Sequence, residues 1–337
     1  MKLQKTVLVL FLAAALTLSA CSPNQAVGSA EPLVVYSGRS ENLVGPLIEQ
    51  FEEASGIEVD VRWGSTSEVA ATLLEEGESS PADLFFAQDP GGLGAVSDLL
   101  APLPEDLLAA VPDRFRDPNG RWVGLTGRAR TVVYNTDALS SEDLPQDIWD
   151  FTDPAWKGRM GWAPTNASFQ TMVTAMRSVW GEEKTREWLE GMLANEPAAY
   201  DNNSAVVAAV GAGEIEVGFV NHYYLYRFLH EEGEDFAARN YFLPGGGPGS
   251  LVMVAGAGVL SSSDNKEAAE KFIRFMLSTV AQQYFATQTY EYPLVEGVVT
   301  HRELPSLDGL NAVDVDLSDL ADLQGTVSLL SEVGALP

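Results

Sequence analysis

The chain has 337 residues, and its 48 acidic and 20 basic side chains give a net charge of −28. That balance argues against nucleic acid as a partner, because nucleic-acid binding relies on basic side chains that neutralise phosphates. The length and the 46% hydrophobic content allow one large core or two, and the single cysteine excludes an intrachain disulfide.

The beginning of the chain predicts a lipoprotein signal peptide. Two early lysines precede an apolar run over residues 7–18, shorter than the roughly 20 residues that a membrane-spanning helix needs. Small residues then lead to Cys21, at the position where bacterial lipoproteins are cleaved and acylated. We expect residues 1–20 to be removed, Cys21 to anchor the protein by lipid outside the cytoplasm, and residues 21–32 to form a polar tether.

The next segment predicts a β-α-β unit. An apolar β-branched run covers residues 33–36, helical spacing follows over 46–53 with Pro46 at the first helical position, and residues 57–61 alternate like a strand. The elements that follow are a helix over 68–76 and a buried strand over 83–86. This order implies a parallel sheet.

A second unit of similar size begins with a strand near residues 158–162. Its remaining elements are helices over 167–179, 182–193 and 204–210 and a strand over 215–220. Between the two units, residues 122–135 predict a strand long enough to cross from one to the other. After the second unit, a glycine-rich hinge over 242–249 leads to an apolar strand over 250–260 and to further helices.

The economical arrangement returns the chain to its first unit. We therefore predict an α/β monomer with two lobes joined by two crossings. Lobe 1 would comprise residues 33–127 plus 250–337, and lobe 2 residues 128–249. A ligand would lie in the cleft between the lobes, at the carboxyl ends of the strands.

Seven strings, in order along nearly the whole mature chain, resemble the ferric-iron-binding proteins of the periplasmic binding protein superfamily. They are YSGR at 36–39, SGIEV at 55–59, SPADLFF at 80–86, GLTGRARTVVYNT at 124–136, WKGR with GWAPTN within 156–166, VNHYY at 220–224 and EYPL at 291–294. The resemblance implies a type II two-lobed clamp that closes on ferric iron, usually with a small anion. Such a protein hands its iron to a permease with a cytoplasmic ATPase.

The resemblance places the family's pair of iron-binding tyrosines at Tyr223 and Tyr224. Three further residues are candidates for iron or cleft contacts. Ser40 stands where family members have a histidine, and Gln88 stands where they have a glutamate and is followed by Asp89. Phe169 stands at the position where a subgroup of the family uses a third tyrosine. The iron ligands beyond the tyrosine pair are therefore open at this stage.

The chemistry of the tyrosine pair suits ferric iron, a hard cation that prefers anionic oxygen donors such as phenolate. Adjacent tyrosines diverge on a regular strand or helix, so both reach one ion only at an element boundary. The sequence supplies one where the strand over 215–220 runs into a helix over 223–230, with Asn221 available as N-cap. The alternative is that the tyrosines only pack this helix against the sheet. The neighbouring His222 is expected to point outward rather than towards iron.

Two phenolates leave one positive charge on ferric iron, so a bound anion such as carbonate or phosphate is expected. The loop before the helix over 167–179 offers backbone N–H groups and hydroxyls to such an anion. The residues of this anion loop are Thr165, Asn166, Ala167 and Ser168. By resemblance, Arg39 and Arg128 also face the cleft and would bind the anion, the alternative being surface ion pairs. Asn203 and Asn221 are polar cleft residues by resemblance alone.

Two other functions remain open from the sequence. The same fold could bind an oxyanion or another small solute, with the tyrosines only lining the cleft. A hydrolase is disfavoured, because the chain has no nucleophilic-serine motif, phosphate loop or paired-histidine motif. We therefore predict the ferric-iron-binding component of an ABC importer, not an enzyme, with membrane contact only through its N-terminal lipid.

Overall fold

A computed structural model of the protein describes residues 31–336. The predicted signal peptide, Cys21 and nearly all of the tether lie outside the described residues. Within the described part, no helix is both long enough and apolar enough to cross a bilayer. The alternation of strands and helices confirms the predicted α/β class.

The described residues form ten strands in one sheet. The strands are β1 Leu33–Ser37, β2 Val59–Trp63, β3 Leu84–Ala87, β4 Val123–Asn135, β5 Met160–Trp162, β6 Ala198–Ala199, β7 Val217–Asn221, β8 Ala238–Tyr241, β9 Val252–Val259 and β10 Tyr292–Pro293. Their order across the sheet is β2-β1-β3-β9-β4-β7-β5-β6, and β8 and β10 also pair with β4.

Eleven α-helices cover this sheet in the described part of the chain. They are α1 Glu41–Ser55, α2 Thr66–Glu76, α3 Pro90–Ala95, α4 Glu105–Leu108, α5 Ala167–Trp180, α6 Glu182–Ala194, α7 Asn203–Gly211, α8 Tyr223–Glu232, α9 Lys266–Met276, α10 Thr279–Gln288 and α11 Leu323–Glu332. Short 3₁₀ segments connect several of them.

The opening β-α-β unit is confirmed, because β1 pairs in parallel with β2 and with β3. The apolar stripe of α1 is buried at Val44, Leu47, Ile48 and Phe51. Gly56 ends the helix with a φ of 71°, a conformation that suits glycine. The prediction that Pro46 begins the helix was wrong: α1 starts at Glu41, and Pro46 lies inside it, where it cannot donate a backbone hydrogen bond to residue 42.

The long strand β4 joins two groups of strands, as predicted for residues 122–135. Up to Ala129 it pairs antiparallel with β9, and from Arg130 onward it pairs antiparallel with β7. Beyond β9 lie β3, β1 and β2, and beyond β7 lie β5 and β6, with parallel pairing within each group. A single strand therefore belongs to both halves of the sheet.

The C-terminal segment contacts elements on both sides of β4. Leu317–Ala321 packs against α3, whereas α11 packs against α5, where Thr326 Oγ1 lies 2.8 Å from Thr174 Oγ1. The lobe boundaries predicted from the sequence remain a prediction.

Three strand ends meet at the middle of β4. Arg39 follows β1, Gln88 follows β3, and Asn221 ends β7 opposite Arg130 of β4. The Arg128 guanidinium of β4 donates to the Gln88 carbonyl, which brings the end of β3 to the same point. Residues far apart in the chain are thereby gathered into one buried cluster.

Candidate metal centre

The tyrosine pair lies in the first turn of α8, directly after β7 and one intervening residue. This confirms the predicted element boundary. The prediction that Asn221 is the N-cap was wrong, since His222 occupies that position without a side-chain capping bond. Asn221 stays in the strand because it is the last residue of β7 that pairs with β4, opposite Arg130.

The rings of Tyr223 and Tyr224 converge rather than diverge. They stack with centroids 4.4 Å apart and planes at 27°, and Tyr223 is only 2% exposed. Burial raises the pKa of Tyr224 well above its ordinary value, and the adjacent Tyr223 adds to this, while the Arg128 guanidinium opposes it. The phenol therefore keeps its proton until a strong positive charge arrives.

Arg39 and Arg128 are completely buried, so the alternative that they form surface ion pairs was wrong. Nη2 of Arg39 donates to Glu291 Oε2 over 2.8 Å, and Nη2 of Arg128 donates to the Gln88 carbonyl. The Nε and Nη1 groups of both arginines are buried without a protein partner. Because buried cations need compensation, these free N–H groups are suited to an anion.

Arg130 is a third buried arginine that the sequence reading missed. Its Nη1 donates to Ser168 Oγ, Asn203 Oδ1 and Asn221 Oδ1 over 3.2, 3.3 and 3.1 Å, while Nε and Nη2 lack a protein partner. Burial lowers the pKa of Arg130 to about 9, with the nearby tyrosines opposing the shift. Its position was readable from the sequence, since Arg128 and Arg130 are two residues apart on a strand and share a face.

Two of the four residues of the predicted anion loop, Asn166 and Ser168, join the Arg130 cluster. Asn166 Oδ1 accepts from Ser168 Oγ over 2.6 Å and from Asn203 Nδ2 over 3.0 Å. Asn221 belongs to the same cluster through Arg130, so four predicted polar residues are brought together. Of the remaining two, Ala167 is half-buried as the first residue of α5, and Thr165 is exposed outside the cluster.

The other predicted iron or cleft residues have different positions. Ser40 is exposed at the N-cap of α1, next to Arg39. Gln88 enters the cluster through its backbone carbonyl. Asp89 is buried and caps α3 by accepting from Gly92 N over 3.1 Å. Burial raises the pKa of Asp89, and Arg128 opposes that shift. Whether any of these side chains binds iron remains a prediction.

His222 is buried, so the expectation that it points outward was wrong. Nε2 lies 2.7 Å from the Tyr290 carbonyl and must donate to it, which leaves Nδ1 to accept from Ala129 N over 3.1 Å. Both ring nitrogens are thus engaged. Burial lowers the pKa of His222 to about 4, so the ring is neutral near neutral pH and is not free to bind iron.

Glu291 is a second residue that the sequence reading did not single out, although it lies in the EYPL string. Its carboxylate is fully buried; Oε2 accepts from Arg39 and also from Thr289 Oγ1 over 3.1 Å, while Oε1 has no protein partner. Phe169, at the position of a third tyrosine in some relatives, is buried against Trp162 with ring centroids 5.4 Å apart.

The surroundings limit what else could hold a metal ion. Among residues 31–336 there is no group of three or more His, Cys, Asp or Glu side chains placed to bind one. A cavity of about 300 Å³ borders Ala129 and Arg130 on the side of residues 240–244. A larger one of about 800 Å³ is lined by residues between Ala138 and Arg159 and shares none with the cluster. The tyrosines are therefore the described donors that best fit a hard trivalent cation.

Comparison with known proteins agrees with this geometry. The family model described as bacterial extracellular solute-binding protein matches residues 46–310. The chain is 34% identical over 316 residues to the Fe(3+)-binding periplasmic protein of Serratia marcescens, covering 93% of both chains.

Two solved structures are similar over nearly the whole fold. Iron-bound HitA from Pseudomonas aeruginosa superposes with a TM-score of 0.84 at 34% identity, covering 90% of this chain and 99% of that one. A Trichodesmium protein in complex with iron and citrate superposes with a TM-score of 0.79 at 26% identity, with the same coverage. The predicted periplasmic-binding-protein fold is confirmed by these neighbours.

Proposed function

Because the chain belongs to the bacterial extracellular solute-binding proteins, and within them to the ferric-iron-binding periplasmic proteins, we propose that it captures ferric iron outside the cytoplasm. It then delivers the iron to the permease of an ABC importer that is driven by a cytoplasmic ATPase.

One observation carries this proposal: a stacked pair of tyrosines, of which Tyr223 is buried and Tyr224 half-buried, lies beside buried arginines with free N–H groups. The phenol of Tyr224, whose pKa is raised by burial, becomes a good donor only beside a strong positive charge. Ferric iron supplies that charge, and phenolate oxygen is the type of donor that it prefers. Tyr223 and Tyr224 are accordingly the iron ligands of the proposal.

The charges of the cluster indicate why an anion accompanies the iron. Ferric iron with two phenolates carries one net positive charge, and Arg39, Arg128 and Arg130 add three more. Within this cluster Glu291 and Asp89 are the carboxylates, and burial favours the protonated form of Asp89.

An oxyanion such as carbonate or phosphate would reduce this excess and occupy the free guanidinium N–H groups. In the proposal, Arg39, Arg128 and Arg130 hold the anion. Asn166, Ser168, Asn203 and Asn221 hold Arg130. Ala167 and Thr165 border the anion site, and Ser40, Gln88 and Asp89 supply further iron or cleft contacts.

The cellular setting is also part of the proposal. The protein acts as a monomer, attached to the membrane by a lipid on Cys21 and by nothing else. The test is fractionation of cells that express Cys21→Ser, which should move the protein from the membrane to the soluble fraction. A variant that stays with membranes after a high-salt wash contradicts the lipid anchor.

A second candidate cargo has one observation in its favour. Three buried arginines with free N–H groups would also suit an oxyanion that binds without iron. The tyrosine pair and the ferric-iron-binding relatives favour iron, because an anion alone gives the stacked phenols no role.

The deciding experiment loads the mature protein with ferric iron, with and without carbonate or phosphate, and records bound metal and visible absorption. Iron held by phenolates should give a charge-transfer band and bind one ion per chain. A protein that stays colourless and binds only the anion would identify an oxyanion as the cargo.

A further inference from the structure

A buried carboxylate lies beside one of the arginines that are free to bind an anion. Glu291 is fully buried, Oε2 accepts from Arg39 Nη2 over 2.8 Å, and Oε1 has no protein partner. Replacing a buried ion pair by uncharged residues is often neutral or stabilising. The ion pair by itself is therefore weak evidence that the Glu291 charge serves stability alone.

The backbone next to Glu291 holds the carboxylate in place. Tyr290 has a φ of 57°, in the left-handed region that is unfavourable for a residue with a side chain. Its carbonyl accepts from His222 Nε2 over 2.7 Å, and its ring stacks on Tyr226 with centroids 4.8 Å apart. The turn is fixed from both sides, which keeps the Glu291 charge at a constant place.

That charge acts directly on the anion site. The Glu291 carboxylate accepts from one N–H group of Arg39, and its negative charge weakens the attraction of this guanidinium for any other anion. In a buried setting such an effect is several times stronger than in water. It also grows with the charge of the incoming anion, so a dianion is disfavoured more than a monoanion.

We infer that Glu291 is a specificity-determining residue that limits the affinity of the site for multiply charged anions. The consequence is a site that binds its anion, and the iron held with it, weakly enough to release both. This inference rests on the anion site of the proposed function.

The test uses iron-free protein and titration calorimetry with sulfate and nitrate. Glu291→Gln keeps the shape and an acceptor for Arg39 but removes the charge. We expect it to bind sulfate about tenfold or more tightly than wild type, with a smaller gain for nitrate. Glu291→Asp keeps the charge and should stay within about twofold of wild type. Glu332→Gln, which neutralises an exposed partner of Arg186, is the matched control and should change nothing.

If Glu291→Gln alone fails to fold, Arg39→Gln is compared with the double variant Arg39→Gln and Glu291→Gln. Arg39→Gln should weaken sulfate binding, because it removes a cation and leaves the carboxylate. Adding Glu291→Gln should recover at least about fivefold of that loss. The inference is overturned if Glu291→Gln binds sulfate no better than wild type, if nitrate gains as much as sulfate, or if the double variant is as weak as Arg39→Gln.

Failure of the proposed function gives a different result. In that case wild-type protein takes up no ferric iron in the loading experiment, whatever the sulfate affinities are. If neither wild type nor Glu291→Gln binds sulfate, the role assigned to Glu291 is overturned even when iron binds.

Discussion

The tyrosine pair is only partly buried and the arginine cluster is fully buried. In the proposed function the two groups bind ligands of opposite charge. Burial raises the pKa of Tyr224, so this phenol keeps its proton until a cation binds. The arginines are charged and already form hydrogen bonds with Glu291, Gln88, Ser168, Asn203 and Asn221. Iron alone would satisfy the first group and an anion alone the second. If both bind as proposed, each ligand lowers the free-energy cost of binding the other, and by linkage this coupling is reciprocal.

The largest expected effect on iron binding comes from removing the hydroxyl groups of both tyrosines. The double substitution Tyr223→Phe and Tyr224→Phe should abolish both colour and stoichiometric iron, because it keeps the stacked rings and removes only the donor oxygens. Absorbance and metal analysis of the folded variant are the measurements. Iron bound at unchanged affinity by the colourless double variant would assign the tyrosines to packing alone.

Iron affinity should fall as the pH falls, because burial raises the pKa of Tyr224 and iron must displace its proton. If iron displaces two protons, its affinity should fall by up to about 100-fold for each unit by which the pH falls. In Tyr224→Phe only one proton is displaced, and the fall should be about tenfold. Competition with citrate at about pH 7.5 and 6.5 compares the two proteins under identical conditions. Equal slopes would mean that Tyr224 does not bind iron as phenolate.

On the arginine side, Arg128→Ala should weaken iron binding in a way that added carbonate or phosphate partly restores. A charge-assisted hydrogen bond of this kind contributes about 1.5–3 kcal/mol, or roughly 10–150-fold in affinity. The control is Arg274→Ala, which removes a half-exposed pair with Asp106 and should cost at most about 1 kcal/mol of stability. An iron affinity that is unchanged at every anion concentration would place Arg128 outside the site.

The smallest effect on iron binding is expected for His222→Gln, because both ring nitrogens of His222 already have protein partners. Its pKa of about 4 is below the unfolded value, so the unfolded state binds the extra proton. Its contribution to stability is full above about pH 6.5 and is lost as the pH falls towards 4.

Wild type should lose about 2 kcal/mol more than His222→Gln between pH 7 and pH 5. Urea unfolding of the iron-free proteins measures this difference. A gap between the two free energies of unfolding that does not change with pH would contradict the neutral, buried state of the ring.

Local patterns in the sequence were enough for the β-α-β order, for the long strand β4 and for the boundary that carries the tyrosines. Each of these features depends on the pattern of apolar residues within one short segment, so the sequence of that segment is enough to predict it. Pro46 and Asn221 show the limit, because helix starts and caps depend on which competing backbone pairing wins. Asn221 pairs with Arg130 of β4 as the last residue of β7 and therefore does not cap the helix.

The composition of the site needed the tertiary structure. Motif strings located the tyrosines, Arg39 and Arg128 along the chain. Only the sheet, by bringing the ends of β1, β3 and β7 to the middle of β4, joined Arg130 to Asn221 and placed Glu291 against Arg39. Burial decides the rest, since the same side chains at the surface would be solvated and paired by water, with ordinary pKa values and no need of a ligand.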